Sequence, residues 1–148
     1  MKQVLLLAIS IVFWEAAFVV ANTNTQGEGD WLIYPLPKTT VRVANLLDQG
    51  LTFTIHCKSR DDDLGPHVVY NNDAYEWSFH RNFFGTTLFF CGIHWRDGSI
   101  VYDIYKTSRD FSRCSTDCYW EVKNNALYGY TQIPQEIDIE VPWSRQES

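Results

Sequence analysis

Residues 86–95, TTLFFCGIHW, constrain this chain more than any other stretch. At the two-residue period of a strand, Phe89, Cys91, Ile93 and Trp95 fall on one face. Leu88, Phe90, Gly92 and His94 fall on the other. Three aromatic rings, an imidazole and a cysteine in ten residues describe a central strand, buried on one face and partly covered on the other. A helix could hold a run of this length. Thr86-Thr87 before it and Asp97-Gly98 after it bracket it as a strand instead.

Other strands are legible around it. Residues 40–44 alternate through Val41 and Val43, and residues 51–57 place Leu51, Phe53, Ile55 and Cys57 inward against Thr52, Thr54 and His56. Residues 67–70 form a short apolar run. In residues 75–80, Tyr75, Trp77 and Phe79 alternate with Glu76, Ser78 and His80. Asp97-Gly98 signals a two-residue hairpin into residues 100–105, and Asn124-Asn125 joins residues 118–123 to 126–130. Residues 137–143 alternate as a last strand, which Pro142 places at an edge. Residues 58–65 read as a charged turn and residues 106–117 as a long polar loop. No helical period, repeat or linker intervenes. The expected fold is all-β: a small, disulfide-bonded antiparallel β-sandwich of about eight strands.

The first residues have the grammar of a secretory signal: Lys2, an apolar run over residues 4–13, and Val19-Val20-Ala21 as a small-residue cleavage site. Glu15 splits the apolar run into pieces too short to span a bilayer. We therefore expect residues 1–21 to be a cleaved signal peptide, residues 22–39 an N-terminal leader segment with a short edge segment at 31–34, and residues 40–148 the folded domain. The protein should be extracellular and monomeric, without stable membrane insertion. Its formal net charge of −6 argues against nonspecific binding to nucleic acid.

Cys57, Cys91, Cys114 and Cys118 all lie beyond the leader, and an even count in an exported chain reads as two disulfides. Cys114-x3-Cys118 lacks a second close Cys or His pair, which disfavours zinc. Four cysteines allow three pairings. Sequence does not fix the connectivity; Cys114 and Cys118 are awkwardly close for a mutual bond along an extended strand, and Cys57–Cys118 with Cys91–Cys114 is the preferred pairing.

Little else suggests chemistry. Asp61, Asp62 and Asp63 are consecutive, so their side chains cannot all converge on one calcium ion; a solvated turn is the better reading. His56 and His80 occupy polar strand faces, and His94 is expected to be packed and hydrogen-bonded among aromatics. No G-x-S-x-G turn supplies a nucleophile, and only a Glu76–Asp103 carboxylate pair would suggest hydrolysis. We expect no catalytic, cofactor-binding or metal-binding residues. No Asn-x-Ser/Thr sequon is present. Tyr75, Trp77 and Phe79 could stack on sugars, although their alternation suits a core.

The pieces TVRVANLL, LTFTIHCKSRDDDLG, YEWSFHRNFFGTTLFFCGIHW and RDFSRCSTDCYWEVKNNALYGY, with all four cysteines in order, resemble the plant self-incompatibility S-protein family, the S-protein homologues. The resemblance spans residues 40–130. It implies a small, secreted, disulfide-bonded β-sandwich without enzymatic activity. Founding members of that family are stigma-secreted ligands that meet a receptor on incompatible pollen and arrest it. The resemblance places specificity in exposed loops. The candidates here are Asp61, Asp62 and Asp63; Asn71, Asn72 and Asp73; Arg96 and Asp97; and residues 106–117, with Lys106, Arg109, Asp110, Arg113 and Asp117. Arg109 and Arg113 would either reach carboxylates on a partner or form internal ion pairs. Arg109→Ala is expected to leave folding intact. The leading expectation is a signalling ligand for a cell-surface receptor protein, with self-pollen rejection its most specific form. The rivals are a secreted defence protein or inhibitor, and a carbohydrate-binding wall module.

Overall fold

The computed structural model of the protein describes residues 37–144. The expected signal peptide, most of the leader and the edge segment at 31–34 lie outside the described residues. Within them the chain forms nine strands: β1 (Lys38–Asn45), β2 (Phe53–Lys58), β3 (Asp63–Val69), β4 (Ala74–His80), β5 (Leu88–Trp95), β6 (Gly98–Lys106), β7 (Asp117–Val122), β8 (Ala126–Tyr130) and β9 (Ile137–Pro142). A 3-10 turn at Asp48–Gly50 and the one-turn helix α1 (Thr107–Asp110) complete them. Two sheets result, with strand orders β4-β1-β7-β8-β9 and β3-β2-β5-β6. The expected all-β sandwich is therefore what the chain adopts.

Side-chain alternation sets which face of each strand is buried. Phe89, Cys91 and Ile93 on β5 and Phe53, Ile55 and Cys57 on β2 point between the sheets, where Val41, Val43, Trp120, Val122 and Leu127 meet them. Fully burying an aliphatic or aromatic side chain contributes about 1.5–3 kcal/mol. Shifting any strand by one residue would turn its stripe to solvent, so the pattern fixes the register. Pro142 does fall on an edge strand.

Four details differ from the sequence reading. First, β1 and β7 pair in parallel, from Thr40 with Asp117 to Asn45 with Val122. The chain leaves β6 at the end where β1 begins and crosses into the other sheet there, so β7 must run alongside β1. Second, β3 starts at Asp63, which narrows the charged turn to residues 59–62. Third, the β5–β6 hairpin turns on Arg96 and Asp97, with Gly98 already paired to Trp95. Fourth, His94 is exposed rather than packed.

The cysteine pairing also differs. The bonds are Cys57–Cys91 and Cys114–Cys118, not 57–118 and 91–114. Cys57 and Cys91 are direct partners in the β2–β5 ladder, so sheet register brings them together. Cys114 is not on an extended strand. Its amide donates to the Asp110 carbonyl at 2.9 Å, and the chain turns there, so Cys118 at the start of β7 comes within reach.

At the far end from these bonds, Asn45 ties the layers together. Its buried side-chain amide donates to Leu51 O and Val69 O, each at 2.9 Å, and its Oδ1 accepts from the Leu47 amide at 3.0 Å.

Two measurements follow from this arrangement. Removing Cys57–Cys91, which closes 34 residues, should cost about 4 kcal/mol, against about 2 kcal/mol for Cys114–Cys118, which closes 4. Thermal melting of the two double Cys→Ala variants checks the order, and a larger drop for the 114/118 variant would contradict it. Asn45→Ala strands three polar partners, two of them buried, and should lose about 3 kcal/mol in denaturant titration; a loss under about 0.5 kcal/mol would contradict the role given to Asn45.

Candidate contact surface

The loops expected to carry specificity do not share one surface. Residues 59–62, 81–87, 107–116 and 131–136 connect strands at the end where β1 begins. Residues 70–73, 96–97 and 123–125 lie at the other end. Strands of eight residues hold the two ends about 25 Å apart. Asp61, Asp62 and the 106–117 segment therefore stand at one end, and Asn71, Asn72, Asp73, Arg96 and Asp97 at the other.

The longest candidate segment turns largely inward. Asp110 is fully buried, and its carboxylate accepts from Arg109 Nε at 2.9 Å and Nη2 at 2.8 Å, from Arg113 Nη1 at 3.2 Å and from the Lys106 amide at 2.7 Å. Arg109 also donates to the Asp103 carbonyl at 2.8 Å, and Arg113 Nε to Asp138 at 2.6 Å. Both guanidinium groups lie over the Trp120 ring, 5.6 and 5.1 Å from its centre. Gly129 on β8 makes room, since a Cβ there would sit 2.6 Å from Arg113 Nη2 and 2.7 Å from Trp120. Asp110 and Arg113 are thus interior residues and Arg109 is half-buried. The internal ion pairs, not a partner's carboxylates, are what the two arginines find. In this segment Lys106 and Asp117 remain exposed, Asp117 accepting from the Thr116 hydroxyl at 2.9 Å.

The acidic run divides. Asp63, first on β3, accepts from Lys58 Nζ at 2.8 Å, from His56 and from the Gly65 amide at 3.0 Å. Lys58, then His56 and Gly65, hold its carboxyl well below the usual carboxylate range. Asp61 and Asp62 extend into solvent from a turn in which their amides donate to Ser59 Oγ at 3.2 and 2.9 Å. Beside that turn a cleft of about 400 Å³ is walled by Phe79, His80, Phe89 and Phe90, with Arg60, Asp61 and Asp62 at its edge.

At the opposite end, Asn71 Nδ2 donates to the Leu47 carbonyl, Asn72 adopts a positive φ of 62°, and Asp73 accepts from the Ala74 amide at 2.8 Å. These three residues build the turn, and Asn72 and Asp73 are exposed. Arg96 and Asp97 bind one another in a fork, at 2.8 and 2.7 Å.

Other sequence candidates resolve plainly. Glu76 and Asp103 lie on different sheets and do not form a pair. His67 Nε2 lies 2.8 Å from the Leu64 carbonyl, and its ring stacks on Tyr75 at 4.2 Å. Tyr75, Trp77 and Phe79 face inward, with Phe79 4.6 Å from Phe89, so this stripe is core rather than a sugar platform. Among the described residues, no group of three or more His, Cys, Asp or Glu side chains is placed to hold a metal. The sequence reading missed residues 81–87. Phe83 and Phe84 there are almost wholly exposed. The signal available was an apolar pair between Asn82 and Gly85, both turn residues.

Asp110→Ala would leave Arg113 buried with one carboxylate and should cost about 3 kcal/mol. Arg109→Ala should also destabilise, contrary to the sequence expectation, whereas Lys106→Ala and Asp117→Ala should change stability by no more than about 0.5 kcal/mol. Urea unfolding of the four variants separates the inward from the outward residues, and an Asp110→Ala variant as stable as the parent would refute the network's role.

The family model described as plant self-incompatibility protein S1 matches residues 40–143, from β1 to just past β9. S-protein homolog 27 of Arabidopsis thaliana is 40% identical over 127 residues, covering 85% of this chain and 82% of that protein. S-protein homolog 6 of the same plant is 39% identical over 134 residues, covering 90% and 96%. A solved structure of SPH (Self-Incompatibility Protein Homologue) proteins, described as small, highly stable and secreted, superposes with a TM-score of 0.58. It is 14% identical and covers 74% of this chain and 97% of that one, which supports the fold alone. With the family model spanning both sheets and two relatives matched over most of their length, this chain belongs to the plant self-incompatibility protein S1 family, the S-protein homologues.

Proposed function

We propose that this protein is a secreted, non-enzymatic signalling ligand that binds a cell-surface receptor protein through exposed loops. Its most specific form would be a pistil determinant in the rejection of self pollen. It acts as a monomer once residues 1–21 are removed as a signal peptide. The observation that carries this reading is the division of the molecule. Two disulfides and an aromatic interior hold the strands, while the connections at the two ends display exposed side chains. A stiff scaffold displaying loops suits recognition, because few degrees of freedom are lost on docking. Family membership supports the same reading. Asp61, Asp62, Asp63, Asn72, Asp73, Arg96, Asp97, Lys106 and Asp117 are the members of the predicted set left on the surface, and they are the proposed contacts.

The test applies dye-labelled mature protein to germinating pollen of the source plant and of plants unrelated to it. Saturable binding, displaced by unlabelled protein and accompanied by tube arrest in at least one genotype, is the expected result. Binding that fails to saturate, or that soluble wall polysaccharide displaces, would reject a receptor ligand in favour of a wall module.

A further inference from the structure

One end of the sandwich carries apolar surface that folding leaves uncovered. Phe83 and Phe84 are 89% and 85% exposed, Phe111 is 57% and Ile133 is 87%, and they come from three separate connections at that end. The Phe83–Phe84 turn is held rigidly. The Asn82 amide donates to Thr87 Oγ1 at 2.8 Å, its side-chain amide donates to Thr86 Oγ1 at 2.7 Å, and its Oδ1 accepts from the Thr86 amide at 2.8 Å. Gly85 closes the turn at a φ of +65°, which a side chain would resist. The Arg81 guanidinium lies 4.4 Å from the centre of the Phe111 ring, and a cleft of about 310 Å³ opens between Phe83 and Phe111. Aromatic rings on a preorganised turn lose little freedom on docking, and such rings dominate the centres of protein interfaces.

Charge and shape select the partner. Arg60, Arg81 and Lys106 stand against Asp61, Asp62 and Asp117 at this end, so it has no net pull toward anionic lipid headgroups. A second copy is also a poor fit. Three phenyl rings of about 150–250 Å² each, partly exposed, fall well short of the roughly 800 Å² per partner of a stable interface when two convex tips meet. A concave protein surface can wrap the knob and add the charged residues around it as a polar rim.

We propose that Phe83 and Phe84 anchor a heteromeric protein interface, entering an apolar pocket on the extracellular part of the receptor. Phe111 packs at the lip of that pocket, and Arg60, Asp61 and Asp62 form the rim. This inference rests on the receptor reading above and names the part of the surface that does the binding.

The experiment uses the labelled mature chain as wild type, as the F83S/F84S and F84A variants, and as Val101→Ser, a control that removes an exposed apolar side chain from β6. Each is titrated onto intact pollen, onto trypsin-treated pollen, and onto vesicles of phosphatidylcholine with and without phosphatidylserine. Sedimentation equilibrium and thermal melting are run alongside. Wild type should bind intact pollen saturably and lose that binding after trypsin. F83S/F84S should bind about thirtyfold more weakly or worse, and F84A about tenfold more weakly, with Val101→Ser unchanged and all melting temperatures within about 2 °C. Equal trypsin-sensitive binding by F83S/F84S and wild type would overturn the anchor while leaving the receptor reading intact. Binding that survives trypsin and is matched on vesicles would assign the patch to lipid and overturn it. So would a wild-type dimer that F83S/F84S dissociates. Absence of saturable binding by wild type would remove the receptor reading and the anchor together.

Discussion

The antiparallel pairing of β2 with β5 is the constraint on which the rest of the structure depends. In this pair Phe53 faces Trp95, Ile55 faces Ile93 and Cys57 faces Cys91, so one register satisfies backbone hydrogen bonds, apolar packing and a covalent bond together. No one-residue slip can keep all three, because it would turn the slipped strand's stripe outward and separate the sulfurs. β3 and β6 add to the outer edges of this pair, and the five-stranded sheet closes over its buried face. The pair is thus the template against which the remaining strands find their places.

A second group of contacts turns a polar segment into a wall of the core. Asp110 neutralises two arginines whose planar groups cover Trp120, and the Cys114–Cys118 bond fastens the same segment to the start of β7. Without that carboxylate Arg109 would lose its ion pair and Arg113 would keep Asp138 alone, a costly change for charges held against the indole. Asp138 on β9 completes the neutralisation, so the edge of the five-stranded sheet is tied to the crossover that precedes β7. The crossover is therefore stiff where a plain loop of that length would not be.

Stiffness of this kind bears on recognition. The strands place two sets of connections at opposite ends, and a partner can engage only one set at a time unless it wraps the whole domain. The end bearing residues 59–62 and 81–87 combines a cleft, charged side chains and uncovered phenyl rings. The opposite end consists of turns whose polar groups largely bind one another, as in the Arg96–Asp97 fork. The two ends differ in what they offer to another molecule, and the difference arises from local turn chemistry, not from the scaffold.

Much of the architecture was legible in the residues alone. Period-two alternation in residues 51–57, 75–80 and 88–95 identified the buried stripes, because the inward face of a strand is set by its own side chains and requires no partner to be known. Pro142 marked an edge for the same local reason, through its missing donor. Disulfide pairing, the parallel β1–β7 contact and the inward turn of Asp110 and Arg113 were decided only by tertiary structure. Each depends on which distant strand lies alongside: Cys91 is opposite Cys57 only in the β2–β5 register, and Arg113 meets Trp120 only because β8 brings Gly129 between them. Charged residues in a polar segment look alike in sequence whether they face solvent or one another. Exposed phenylalanines look like core until the fold leaves them outside. Local periodicity is a property of the chain, whereas burial of a loop is a property of what the loop packs against.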